Sequence, residues 1–434
     1  MSRLLDLILL LTLLLGWPVW RRKPRDDWAG RWGKGESLPP RVGPRVAIHA
    51  VSVGEVNAAL PLIRRLATRL APDQGDIVLS VTTDTGFSLA TSLFPDPDTG
   101  PSGSTKTVPV RVVRHPIDAS WAIKRWLDRT DPTTFALVEL EVWPNTLIAM
   151  RRRRIPAVVV NGRMSDRSFI GYTRFRFAVA WMFQLLEAVG AQSEKDAERF
   201  RALGCRVVST IGTIKWDAAK DDAARIHLAS PSPEQLAEAL GLDLQRPVVV
   251  LGSAAPNECA LVRTALEPLD SVQLLAAPRK PEWFDKAAEE LGPTALRRTA
   301  RTTAPAGARW FLLDTIGELP AAYAIADIAV IGRSFAPLYG SDVMQPAALG
   351  VPMVVGPNTA DFSDAVRKLR DANALITCEQ HSLKGVLRDL LGSPDTRQRM
   401  KHAALAAVDR NAGAAERYAD LALKHGKSIP ERAE

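Results

Sequence analysis

The sequence predicts an α/β protein of two domains, each a parallel sheet covered by helices, with an apolar helix in front. Three observations carry this reading. From about Arg45 onward, short β-branched runs alternate with helix-length amphipathic stretches. The same alternation restarts after the Ser-Pro-Ser-Pro break at 230–233. The chain has 434 residues, more than one compact core usually holds.

The first element is Leu4–Trp20, a run of 17 residues in which only Asp6 is charged. As a helix it would rise about 25 Å, slightly short of a bilayer's hydrocarbon core. Trp17 and Trp20 suit the headgroup level, Arg21, Arg22, Lys23 and Arg25 follow, and no small-residue cleavage site is present. Residues 1–25 are therefore expected to be an uncleaved anchor, spanning or in-plane. The basic flank after the helix puts the body on the cytoplasmic face. Next come the strand candidates Val46–Val51, Asp76–Thr83, Phe135–Leu140, Ala157–Val160 and Val207–Gly212, forming a first domain over 45–216. After a joint near 216–245, the runs Pro247–Gly252, Val272–Ala277, Ile328–Gly332 and Pro352–Gly356 form a second domain over 245–410, followed by a C-terminal helix and tail over 411–434. Runs this apolar, spaced by helices, read as strands buried on both faces. Asp96–Thr107 is a turn-rich surface loop whose Asp96-Pro97-Asp98 is read as loop and not as a metal motif.

Composition narrows the function. Lys and Arg number 56 against 48 Asp and Glu, a formal charge of +8 that suits an anionic partner without choosing one. The basic residues lack the aromatic interleaving of single-strand nucleic-acid binders, so no nucleic acid is expected. Cys205, Cys259 and Cys378 are too few and too scattered for a disulfide framework or a cysteine-built zinc site. The six histidines show no metal-ligand spacing. No Walker loop and no Gly-x-Gly-x-x-Gly follows a strand.

Ligands of parallel α/β sheets bind beyond the carboxyl ends of the strands, so the segments just after strands are the candidates. Glu55, in Ser52-Val53-Gly54-Glu55, falls on the first turn of a helix, where the positive helix end stabilises a carboxylate. An ordinary helix-start glutamate would look the same. Glu139 and Glu141 flank Leu140 before Trp143-Pro144-Asn145. Strand alternation would put both on one face, which is costly unless that face is a polar cleft. One of the two could instead serve only to hold the loop. Asn161-Gly162-Arg163-Met164-Ser165 and Gly212-Thr213-Ile214-Lys215 also follow strands, and Lys215 supplies a cation near the joint. Arg151–Arg154 reads as a solvated helix end. In the second half Ser253, Pro278-Arg279-Lys280-Pro281, Ile316-Gly317-Glu318-Leu319 and Arg333-Ser334 offer amides, hydroxyls and cations suited to a nucleotide phosphate.

Taken in order, these segments resemble the 3-deoxy-D-manno-octulosonic acid (Kdo) transferases of lipopolysaccharide assembly. The likeness rests on HAVSVGEVNAALPLIRRL from His49, TTDTG from Thr82, ELEVWPN from Glu139, NGRMSDRS from Asn161 and AQSEKDAERFRALG from Ala191. It continues through GTIKWD from Gly212, PRKPEWF from Pro278, DTIGEL from Asp314 and QPAALGVPMVVGPNTADF from Gln345. The resemblance implies two Rossmann-like domains facing across a cleft, the GT-B glycosyltransferase fold. It implies a membrane-associated enzyme of the inner membrane that takes Kdo from CMP-Kdo to a lipid A precursor, inverting the anomeric carbon with no metal or other cofactor. Carried over by position, Glu55 is the general base, and Glu139 and Lys215 stabilise the transition state. Pro278, Arg279, Ile316, Gly317, Glu318 and the segment Asp342–Gln345, with Asp342 and Gln345 at its ends, hold CMP. The chain departs from the family pattern at Thr213, Ser253-Ala254-Ala255, Gly332-Arg333-Ser334, Tyr339-Gly340-Ser341-Asp342 and Gln345, all except Thr213 on the nucleotide side. Two other readings follow from these departures: a transferase of the same family with a different nucleotide-sugar donor, and a membrane-bound scaffold that binds without turnover.

Overall fold

A computed structural model describes residues 2, 5–7, 12, 26–97, 108–300 and 304–426. The expected anchor Leu4–Trp20 with its basic flank lies almost wholly outside these residues, as does most of the 96–107 loop. Among the described residues no helix is long and apolar enough to cross a membrane.

The chain divides into two units: Met1–Ile214 with Gly413–Glu434, and Lys215–Ala412. In the first unit the strands are β1 (Arg45–Ala50), β2 (Asp76–Val81), β3 (Val110–Arg114), β4 (Thr134–Val138), β5 (Ala157–Gly162), β6 (Ala188–Ala191) and β7 (Val208–Thr210). They form one sheet in the order β3-β2-β1-β4-β5-β6-β7, and every pairing is parallel. β1, β2 and β4 are buried along their whole length, which explains their near-continuous Val/Ile/Leu/Ala character. Alternation sorts the strand side chains to two faces. One packs Val46, Ile48 and Val158 under helix Val53–Leu70; the other packs Ala47, Phe135 and Val159 with Trp126, Phe183 and Phe200. Buried side chains of this size contribute about 1.5–3 kcal/mol each.

Helix Val53–Leu70 buries Val56, Ala59, Leu62, Ile63, Leu66 and Leu70, a stripe spaced by three and four residues, and runs through Pro61. Residues 411–434, set apart in the sequence, supply the helix Ala414–Gly426 that covers the same face of the first sheet through Ala415, Tyr418, Ala419 and Ala422. The Tyr418 hydroxyl donates to the Gly212 carbonyl at 2.7 Å, and Arg69 pairs with Glu416 and Asp420. Gly190 on β6 makes this approach possible, because a Cβ there would lie 2.5 Å from the Tyr418 ring.

The second unit opens on helices Lys215–Ala224 and Pro233–Leu240, so the segment read as a joint is mostly ordered packing of this unit. Trp216, Leu236 and Leu240 are in its core. Its strands are β8 (Val248–Ala254), β9 (Gln273–Pro278), β10 (Leu296–Arg297), β11 (Trp310–Leu312), β12 (Ile328–Ile331), β13 (Met353–Val355) and β14 (Leu375–Thr377). They form a second parallel sheet in the order β10-β11-β9-β8-β12-β13-β14. In the first sheet the chain order reverses between β1 and β4; in the second it reverses between β8 and β12 and again near one edge, where β11 inserts between β9 and β10. Such switch points are where open α/β sheets bind ligands.

Candidate active site

At the first switch point three carboxylates come within electrostatic reach. Glu55 lies in the first turn of helix Val53–Leu70, right after β1. Its carboxylate accepts from the Val51 amide at 2.7 Å and from the Ser52 hydroxyl at 3.2 Å, and it stays half-buried. Burial raises its pKa above the ordinary glutamate value. The Val51 amide opposes that, the Glu139 charge adds to it, and Ser52 opposes it more weakly. Glu141 is pushed up to about 7, chiefly by burial and then by the Glu55 charge. The Trp143 indole N–H, at 3.0 Å, works against this, and Glu139 adds to it.

The strand-alternation account of Glu139 and Glu141 needs correcting. β4 ends at Val138, and Glu139 turns to φ 64°, its amide donating to the Val160 carbonyl at 3.0 Å. A left-handed residue breaks the two-residue period. The carboxylates are gathered by a sharp turn and not by a pleat.

This turn has counterparts. Asn161 at the end of β5 (φ 54°), Ser253 in the last turns of β8 (φ 56°) and Arg333 just after β12 (φ 60°) are also left-handed. Each such non-glycine residue costs about 1–3 kcal/mol, and such strain gathers at functional sites. Asn161 is buried, and its Oδ1 accepts from the Ile214 amide at 3.2 Å, fixing the chain just before Lys215. Its Nδ2 is buried without a hydrogen-bond partner.

In the second unit the loops after β8 and β12 are joined by one side chain that the sequence reading passed over. Glu258 is 2% exposed and accepts from the amides of Ala255 at 2.7 Å, Arg333 at 2.7 Å and Phe335 at 3.0 Å. Lys215 opens its helix near the Phe362 ring, 5.7 Å from the centroid. Asp342 accepts from the Met344 amide at 2.8 Å, at the start of helix Met344–Ala348 that carries Gln345. Burial raises the Asp342 carboxyl; the Met344 amide, the Lys215 charge and the Gln345 amide pull it back. Pro278 ends β9, and the Arg279 amide donates to the Ala254 carbonyl at 3.0 Å, beside the β8 loop. Ile316 is 67% exposed, Gly317 is left-handed at φ 97°, and Glu318 is held by Arg298 at 3.1 Å and by Thr315. Glu55 and Glu139 thus belong to the first unit, and Lys215 and all the nucleotide-side candidates to the second. Among the described residues no group of three or more His, Cys, Asp and Glu side chains is arranged to hold a metal ion.

With these features located, comparison with known proteins assigns the chain. Residues 26–218 match the family model described as 3-Deoxy-D-manno-octulosonic-acid transferase (kdotransferase). A 3-deoxy-D-manno-octulosonic acid transferase of Bordetella pertussis is 32% identical over 422 residues, covering 93% of this chain and 94% of that protein. The chain belongs to the Kdo transferase family. A second relative, the 3-deoxy-D-manno-octulosonic acid transferase of Haemophilus influenzae, is 28% identical over 413 residues, 92% of this chain and 91% of that one. The fold is shared more widely. A glycosyltransferase structure from Rickettsia africae, 11% identical, superposes with a TM-score of 0.60 over 89% of this chain and 100% of that one.

Two further residues of this Kdo transferase were not legible as site elements. Asp118 accepts from the amides of Asn145 and Thr146 and from the Thr146 hydroxyl, at 2.8–2.9 Å. It thereby anchors the Trp143-Pro144-Asn145 turn, and burial lifts it to about 6. Asp6, the one charge of the apolar N-terminal run, accepts from the Ser120 amide at 2.8 Å and the Asn145 side chain at 3.2 Å. It caps helix Ser120–Thr130, whose N-cap Ala119 has no side chain for that purpose. The only sequence signal for it was an aspartate where hydrocarbon was expected.

Proposed function

We propose that this Kdo transferase moves Kdo from CMP-Kdo to a sugar hydroxyl of a lipid A precursor, at the cytoplasmic face of the inner membrane, with inversion and without metal or other cofactor. The observation that carries this reading is Glu55: a half-exposed carboxylate of raised pKa at the β1/β4 switch point, with Glu139 and Glu141 beside it. Ionised, Glu55 takes the proton of the acceptor hydroxyl as that oxygen bonds to the anomeric carbon. The bond from that carbon to the CMP phosphate oxygen breaks, and CMP leaves with the electron pair. Glu139 stabilises the oxocarbenium character of the sugar, and Lys215 the charge gathering on phosphate. Pro278, Arg279, Ile316, Gly317, Glu318, Asp342 and Gln345 hold the CMP moiety, and the N-terminal apolar run keeps the enzyme at the membrane.

Incubation of purified protein with CMP-Kdo and tetraacylated lipid A precursor should release CMP and add the Kdo mass to the lipid. Absence of both products defeats the reading. A thermal-shift screen of nucleotide sugars checks the donor separately: stabilisation by a UDP- or GDP-sugar and not by CMP-Kdo would move the assignment to another donor.

A further inference from the structure

The first unit contains a cavity of about 670 Å³ that the transfer reaction does not use. It lies where the strands begin, at the end of the sheet opposite to the carboxylates. Val46 of β1 and Thr134 of β4 are its most deeply buried lining. Leu70 ends helix Val53–Leu70 beside them, and Ile211 with Leu421 of helix Ala414–Gly426 completes an apolar wall. Every lining residue belongs to the first unit. β4 rises about 13 Å from Thr134 to Val138 before the Glu139 turn begins, so the cavity is separate from the candidate active site. Its volume is in the range of small-molecule sites.

Two features of the lining specify a ligand. Alternation along β4 sends Phe135 and Leu137 into one core, and Ala136 and Val138 into the core shared with Ala415 and Tyr418. Thr134 therefore faces the second side, toward the cavity. Its hydroxyl is buried and, among the described residues, has no hydrogen-bond partner. The adjacent Thr133 hydroxyl, by contrast, donates to the Arg45 carbonyl at 2.9 Å. Leaving a buried hydroxyl unmatched is costly, and a ligand oxygen within reach of Thr134 removes that cost. The second feature is charge at the mouth. Arg69 is neutralised by Glu416 and Asp420. Arg417 gives one N–H to the Ile211 carbonyl at 2.8 Å, and neither it nor the exposed Lys424 has an acidic partner among the described residues. Against these two cations the lining sets one further carboxylate, Asp73, which leaves a single positive charge. We infer that this cavity binds a small organic monoanion. Its apolar body packs between Val46, Leu70, Ile211 and Leu421, its carboxylate meets Arg417 and Lys424, and a hydroxyl or carbonyl oxygen pairs with Thr134. Such a ligand touches the sheet and the C-terminal helix together, and so holds that helix down.

The test titrates the full-length protein with 6-hydroxy-2-naphthoate, a rigid fluorescent acid whose oxygens stand at opposite ends. Its fluorescence should saturate at one equivalent, and amide exchange in Ala414–Gly426 should slow severalfold. Two analogues, 2-naphthoate without the hydroxyl and 2-naphthol without the carboxylate, should each bind about tenfold more weakly. Thr134→Val preserves the shape of the side chain and should erase the preference over 2-naphthoate. Lys424→Glu should weaken both acids and spare 2-naphthol, and Leu421→Trp should block all three. Saturating CMP should leave the titration unchanged. Absence of saturable binding overturns the proposal. So does binding that survives Leu421→Trp, a preference for the hydroxy acid that survives Thr134→Val, or competition by CMP, which would place the probe among the nucleotide-side residues. Binding seen only after removal of residues 427–434 also overturns it, since that result identifies the chain's own end as the occupant.

Discussion

The two sheets place a glutamate at nearly the same point and use it in opposite ways. Each follows the strand beside its switch point, stands at the start of the next helix and accepts from a backbone amide three or four residues back: Glu55 from Val51, Glu258 from Ala255. Glu258 then reaches across the switch to the amides of Arg333 and Phe335 and is 2% exposed. Glu55 meets no such amides, because the facing loop presents Glu139 and Glu141. Like charges keep it from welding the two loops together and raise its proton affinity. One carboxylate is consumed by structure and the other is left free to titrate. Their separate fates are decided across the switch, not by either local sequence.

That contrast can be broken experimentally. Glu55→Gln should lower kcat by about a hundredfold to ten-thousandfold, the usual worth of a positioned general base, while leaving thermal unfolding nearly unchanged. If turnover survived, Glu55 would be as structural as Glu258. Glu258→Ala should do the reverse, destabilising the second unit by about 3 kcal/mol or more, because several buried amides lose a charged acceptor together. Denaturant unfolding followed by a probe in that unit measures it, and an unchanged midpoint would remove the weld. Gly190→Ala should cost about 1–3 kcal/mol, by driving a methyl into Tyr418 and lifting the C-terminal helix from the first sheet. Amide exchange in Ala414–Gly426 reports it.

Smaller effects concern pH. Glu139→Gln removes the charge that adds to the raised pKa of Glu55, so the acid limb of the remaining kcat/KM should move to lower pH; a limb that stays put would uncouple the pair. His49 and His115 are both buried, their rings tilted by 34° with centroids 3.8 Å apart. Burial drives His49 down to about 4, against a weaker pull from the Ser80 carbonyl. Burial and the neighbouring His49 hold His115 well below the ordinary histidine value too. Between the ordinary histidine pKa near 6.5 and the folded value near 4, the unfolded chain binds protons that the folded chain refuses. Stability should therefore be full above about 6.5 and fall as pH drops through that window. Stability unchanged from pH 7 to 5 would contradict this.

What could be read from the sequence follows the same division between local and distant causes. Strands buried on both faces announce themselves as apolar runs, and Glu55 is placed by a strand, a turn and a helix start that are contiguous in the chain. The turn at Glu139 was not legible, because a left-handed residue just past a strand leaves no compositional trace when it is neither glycine nor asparagine. Glu258 was missed because its partners Arg333 and Phe335 lie more than seventy residues away. The return of Ala414–Gly426 to the first sheet was likewise hidden. Its alanines read as a generic helix, and only Gly190 and Tyr418 together show which surface it covers.

That return has a consequence for biosynthesis. The first sheet needs a helix encoded after the entire second unit, so the β4 and β5 side of the face that Ala414–Gly426 covers stays open while almost two hundred more residues leave the ribosome. The nascent chain must keep that face from sticking elsewhere until Gly426 emerges. Folding of the earliest-made half is thus completed last.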